Sequence, residues 1–113
     1  MGIDFSHGNA HWSYSGFHAF RKRLASTLGL DLDDMKGFGG DRSWEDVTDH
    51  IKELLDHSDC DGELSPEACI RIAPRLRDMV TPWADDDYDK INAMNLADGM
   101  ELAAAQNNPL MFC

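Results

Sequence analysis

Residues 57–68 read HSDCDGELSPEA, and they mark a turn between two helices. Asp61-Gly62 is a turn dipeptide, since both residues accept backbone conformations that others avoid. Ser65-Pro66-Glu67 then reads as a helix start. It offers a hydroxyl cap, a proline at the first position and an acid where the helix dipole favours one. Downstream, Cys69, Ile72, Ala73, Leu76, Met79 and Val80 recur at helical spacing and form a stripe for burial. Pro74 lies inside that helix and predicts a kink or a break near Ile70. Upstream, Ser43 caps a second helix, with Glu45 and Asp46 in its first turn. Trp44, Val47, Ile51, Leu54 and Leu55 give that helix one apolar face.

Working outward, a helix runs from a cap at Ser13 or Ser15 to Leu28, with Phe17, Phe20, Leu24 and Leu28 on one face. Gly29 suits the left-handed position after its end, with Leu30 packing back. Arg21, Lys22 and Arg23 fall mostly off the apolar face and read as solvated. Residues 31–42 form a connector, flexible or tightly turned, whose glycines lack the spacing of a phosphate-binding loop. After Thr81-Pro82-Trp83, a last helix starts at Asp85, Asp86 and Asp87 and reaches about Gln106. Ala93, Leu96, Ala97, Met100 and Ala104 are its packing face. Residues 2–6 and 110–112 are short apolar runs suited to pairing as strands. The expected fold is mainly α: about four helices in one small acidic domain over residues 1–113, with a minimal two-stranded β ribbon joining the termini.

Charge is distributed unevenly. The net charge is −11. Residues 1–43 hold five acids and five bases, so residues 44–113 carry the whole excess, sixteen acids against five bases. Such a surface repels nucleic acid and anionic membranes and attracts cations or basic proteins. No apolar run approaches the roughly 20 residues that span a bilayer, and the first residues lack a basic-then-apolar leader pattern. Three cysteines, Cys60, Cys69 and Cys113, are an odd number at irregular spacing and read as reduced thiols. These features place the chain in the cytoplasm.

The wording DCDGELSPE resembles the calcium-binding EF-hand, in which a 12-residue oxygen-rich loop lies between two helices. That loop takes ligands at positions 1, 3, 5, 7, 9 and 12 and glycine at 6. With Gly62 at position 6, Asp59, Asp61, Glu63 and Ser65 fall at 3, 5, 7 and 9, but His57 and Ala68 occupy the ends. Counting from Asp56 puts Glu67 at position 12, yet Ser58, Cys60 and Asp61 then occupy 3, 5 and 6. Each register completes half a site. The resemblance implies an EF-hand-like helix–turn–helix whose weak metal candidates are Asp56, Asp59, Asp61, Glu63, Ser65 and Glu67; no cofactor is expected beyond calcium as a weak candidate. Residues 50–113, through HSDCDGELSPEAC, IAPRL and LADGM, are also similar to a group of small uncharacterised bacterial proteins, mostly actinobacterial, which implies a stand-alone domain.

Other constellations are weaker. His7 and His11 with Asp4 offer two imidazoles and a carboxylate, on a loop containing Gly8 and Asn9. His57 with Cys60 would need two more zinc ligands from Cys69, Cys113 or His50. No set combines nucleophile, base and oxyanion donor, so an enzyme is not expected. The sequence points to a non-enzymatic interaction module whose acidic surface binds a basic protein partner, as adaptor or inhibitor. Asp85, Asp86, Asp87 and Asp89 are the candidate contact residues, and no nucleic acid or membrane is expected to bind directly. The alternative is a calcium-binding EF-hand-like protein.

Overall fold

A computed structural model describes residues 2–57 and 62–113. The elements, in order, are β1 (Gly2–Asp4), β2 (His11–Ser13), α1 (Tyr14–Thr27), α2 (Lys52–Leu55), β3 (Glu63–Leu64), α3 (Pro66–Val80), α4 (Tyr88–Ala105) and β4 (Leu110–Met111), with a 3₁₀ turn at Leu32–Asp34. The fold is mainly α with a small β component. No helix among the described residues is long and apolar enough to cross a membrane.

Local chemistry explains most boundaries. The Ser13 hydroxyl accepts from the Gly16 N–H and starts α1. Gly29, at φ +74°, ends it: its N–H bonds the Ser26 carbonyl while Leu30 N–H reaches back to Ala25. This is the double hydrogen bond of a Schellman ending. Ser65 Oγ accepts from Ala68 N–H and starts α3, which runs through Pro74 without the break that proline suggests. Asp87 caps α4 by accepting from Asp89 N–H.

The strands differ from a single ribbon. β1 pairs antiparallel with β2, in a stretch expected to be loop, and β3 pairs antiparallel with β4. A Phe5–Phe112 bridge links the two pairs. Residues 110–113 bond on both edges: Asp4 and Cys113 exchange backbone hydrogen bonds and Ser6 N–H donates to Met111, while Phe112 N–H donates to Gly62. The chain's end is thus an inner strand.

Residues 44–51 form turns and only Lys52–Leu55 is helical, although Trp44, Val47, Ile51, Leu54 and Leu55 are all buried as expected. Asp49 is the physical reason. Its Oδ1 accepts from Ile51 N–H, a local turn that competes with a helix, and both its oxygens accept from Arg75 of α3. The connector is tightly turned rather than slack. A Cβ on Gly40 would lie 2.1 Å from the Asp34 carbonyl, so glycine alone lets the two backbones meet there.

One contiguous core joins these pieces. Its centre is aromatic: Trp12 stacks on Phe20 with centroids 4.6 Å apart, and Phe5 meets Phe112 edge-on at 5.0 Å. α3 and α4 pack along one another, and Ile72, Ala73, Leu76 and Val80 of α3 and Ala93, Leu96, Ala97 and Met100 of α4 are all buried. The hairpin loop crosses α4 where a Cβ on Gly99 would sit 2.3 Å from the His7 carbonyl oxygen.

Candidate functional site

The chain leaving α2 is held by a buried cation, Arg21, whose charge suggests a place in solvent. Arg21 is only 1% exposed. Its guanidinium lies over Phe17 at 4.7 Å and Phe38 at 5.2 Å, and Nη1 donates to the carbonyls of Leu55 (3.2 Å) and His57 (2.5 Å). These carbonyls close the chain leaving α2, where backbone acceptors lack helical donors. A fixed positive charge therefore stands beneath the start of the loop. The signal was present in the spacing: Arg21 follows Phe17 by four residues and precedes Leu24 by three, which puts it on the apolar stripe.

Gly62 adopts φ +92°, as a turn glycine should, and its flank is closed by His57, which a Cβ there would approach to 3.1 Å. His57 Nε2 lies 3.1 Å from the Glu63 carbonyl oxygen, and its ring stacks on Phe112 with centroids 4.0 Å apart. In the EF-hand register centred on Gly62, position 7 contributes its backbone carbonyl to the ion. Here that carbonyl takes a histidine N–H instead. Ser65 Oγ is committed to the α3 cap, and Ala68, at position 12, is fully buried. Asp56, Glu63 and Glu67 are exposed around the junction, whereas Asp59, Cys60 and Asp61 lie outside the described residues. Loss of solvent raises the proton affinity of the Asp56 carboxyl, opposed by the charges of Lys52, His57 and Arg21. A shallow cleft of about 220 Å³ is lined by Lys52, Glu53, Asp56, His57, Glu63 and Leu64.

Asp85, Asp87 and Asp89 are engaged within the fold. Arg23 donates to both Asp87 oxygens and to Asp89 Oδ2, with its guanidinium 3.7 Å from the Trp83 ring centre. Asp89 Oδ1 also accepts from Trp12 Nε1 at 3.0 Å. Lys90 holds Asp85 at 2.8 Å and caps the carbonyls of Thr81 and Trp83. This network ties the start of α4 to α1. Hydrogen bonding to Arg23 keeps the Asp87 carboxyl below its ordinary pKa. Of the four aspartates, Asp86 alone is in no ion pair among the described residues.

The remaining candidates are dispersed. His11 Nδ1 contacts Asp4 at 2.7 Å, while His7 contacts Ser6 and Gln106, so the two imidazoles serve different partners. Cys69 is buried, and burial pushes its thiol pKa up. Cys113 is exposed. Among the described residues, no three His, Cys, Asp or Glu side chains converge as a metal site. Comparison with protein-family models, with curated proteins and with solved structures gives no match.

Proposed function

We propose that the chain is a non-enzymatic, cytoplasmic interaction module whose acidic surface engages a basic protein partner, as adaptor or inhibitor. The observation that supports it is where the basic side chains are engaged. Lys22, Arg23, Arg42, Arg71, Arg75, Arg77 and Lys90 are all held in ion pairs, and Arg21 is buried. Seven of the ten basic side chains are thereby drawn onto acids of the fold's own surface, while Lys36 and Lys52 are in no ion pair among the described residues. Asp56, Glu63, Glu67, Asp78 and Asp86 are exposed and lie in no ion pair among the described residues. A basic partner satisfies these carboxylates without displacing an internal bridge, and long-range attraction speeds its approach.

The test is a pulldown with the tagged chain from its native host at low and at half-molar salt. It is repeated with the combined Glu63→Gln, Glu67→Gln and Asp78→Asn variant. Surface charges are screened within about 10 Å at 0.1 M salt. A basic protein held at low salt, released at half-molar salt and lost from the variant supports the reading. A partner retained equally under all three conditions overturns it.

A further inference from the structure

We propose that the outer groove between α3 and α4 receives a basic amphipathic helix of a partner protein. This rests on the interaction-module reading and gives it a place and a geometry. The groove holds about 370 Å³ and is lined by Ile70 and Pro74 of α3 and by Glu101, Ala104 and Ala105 of α4. Ile70 is 62% exposed, the most exposed large apolar side chain among the described residues. It lies four residues from Pro74, so the two share one helix face. The opposite wall is alanine, and small side chains let a third helix approach closely. Pro74 has no N–H, so the Ile70 carbonyl lacks its usual i+4 helical donor.

Charge selects the occupant. Arg77, three residues after Pro74 on this face, is neutralised by Asp98 and Glu101, while Glu67, three residues before Ile70, and Asp78, four residues after Pro74, flank the apolar centre. Glu67 and Asp78 are exposed and in no ion pair among the described residues. Across the groove, Asp98 and Glu101 share Arg77. Eleven residues of helix separate Glu67 from Asp78, a rise of about 16 Å. A matching helix has apolar residues at i, i+3 and i+7 between two basic positions about three turns apart. A second copy of this chain is disfavoured, because it brings −11 against −11.

The experiment titrates the isotope-labelled full chain with two synthetic 18-residue Leu/Lys peptides at low salt. One carries that amphipathic pattern and the other is a scramble of identical composition. Expected are at least tenfold tighter binding of the amphipathic peptide and NMR shifts at Ile70, Ala104 and Ala105. The decisive variant is Ile70→Asp, at an exposed site where folding is spared. It adds negative charge, so electrostatics alone would tighten the complex, whereas the groove reading gives at least tenfold weakening. Equal binding of both peptides, shifts confined to residues 53–67 and no loss with Ile70→Asp overturn the groove and leave the acidic-surface reading standing. No binding of either peptide overturns both. Sedimentation showing a wild-type dimer abolished by Ile70→Asp assigns the groove to a second copy and overturns the proposal.

Discussion

The imidazole of His57 sits on the backbone carbonyl of Glu63, 3.1 Å away, and closes internally the gap that a loop cation would bridge. A carbonyl only accepts, so Nε2 carries the proton. With Arg21 holding the His57 carbonyl from the other side, both ends of residue 57 are occupied by protein groups. Calorimetry with calcium on the unmodified chain is therefore expected to show no micromolar binding. A micromolar heat would mean that the masking contacts open readily and that the junction is a metal site after all. Rebuilding the ends of the loop is not expected to help. Ala68 is fully buried, so Ala68→Glu places a carboxylate in the core, lowers the melting temperature, and calcium should not restore it.

Asp86 and Asp87 are neighbours with different fates. Asp86→Lys should leave the melting temperature unchanged. Asp87→Lys should lower it, because it sets a cation against Arg23 and removes the α4 cap. The pH dependence has a defined sign. The native Asp87 pKa is below the ordinary 3.8, so its contribution is complete above that value and is lost as pH falls through the depressed native value. Thermal melts between pH 5 and pH 2 should lose a component in Asp87→Asn; identical profiles would separate the Arg23 contact from stability.

How much of this was legible in the sequence depended on whether a local rule had a tertiary competitor. The Gly29 ending of α1 and the Ser65 start of α3 are encoded within a few residues, and both form as read. Trp12 sits in a run with His7, Gly8, Asn9 and His11 that has no strand pattern. It becomes a strand because its ring fills the aromatic core and His11 N–H bonds the buried Asn92 side chain of α4, 81 residues away. The stretch before α2 had the right burial pattern but the wrong helix length, because the Arg75 partner that fixes Asp49 is 26 residues distant. Arg21 is a simpler case, because no distant competitor is involved. Its charge suggests solvent, but its spacing from Phe17 and Leu24 sets it on the buried stripe.

The crossing of the hairpin loop over α4 yields a sharp stability test. Gly99→Ala would bring a methyl to 2.3 Å from the His7 carbonyl oxygen, and backbone rather than a flexible side chain must move. The expected cost is about 1–3 kcal/mol, read as a lower urea midpoint at unchanged slope. Gly29→Ala is the control: nothing lies within 4 Å of its Cβ, so any loss there reports only the φ of +74°. Equal behaviour of the two variants would remove the close approach as the cause.

The C-terminal strand should matter most for stability. Leu110 is fully buried, Phe112 is 4% exposed, and the segment bonds to residues 4–6 on one edge and to residues 62–64 on the other. Phe112 contacts Phe5, Phe17 and His57 at once. Phe112→Ala should cost about 3–5 kcal/mol, because a ring is lost from a site walled by Phe5, Phe17 and His57. Deleting residues 110–113 removes Leu110 as well and strips partners from both neighbouring segments, so cooperative unfolding should be lost rather than shifted. Met111→Ala distinguishes packing from mere chain length. Met111 is 40% exposed and keeps its backbone bonds in the variant, so its effect should stay within about 0.5 kcal/mol. A Phe112→Ala midpoint equal to that of Met111→Ala would show that the end of the chain contributes through its backbone alone, and the aromatic anchor would have to be abandoned.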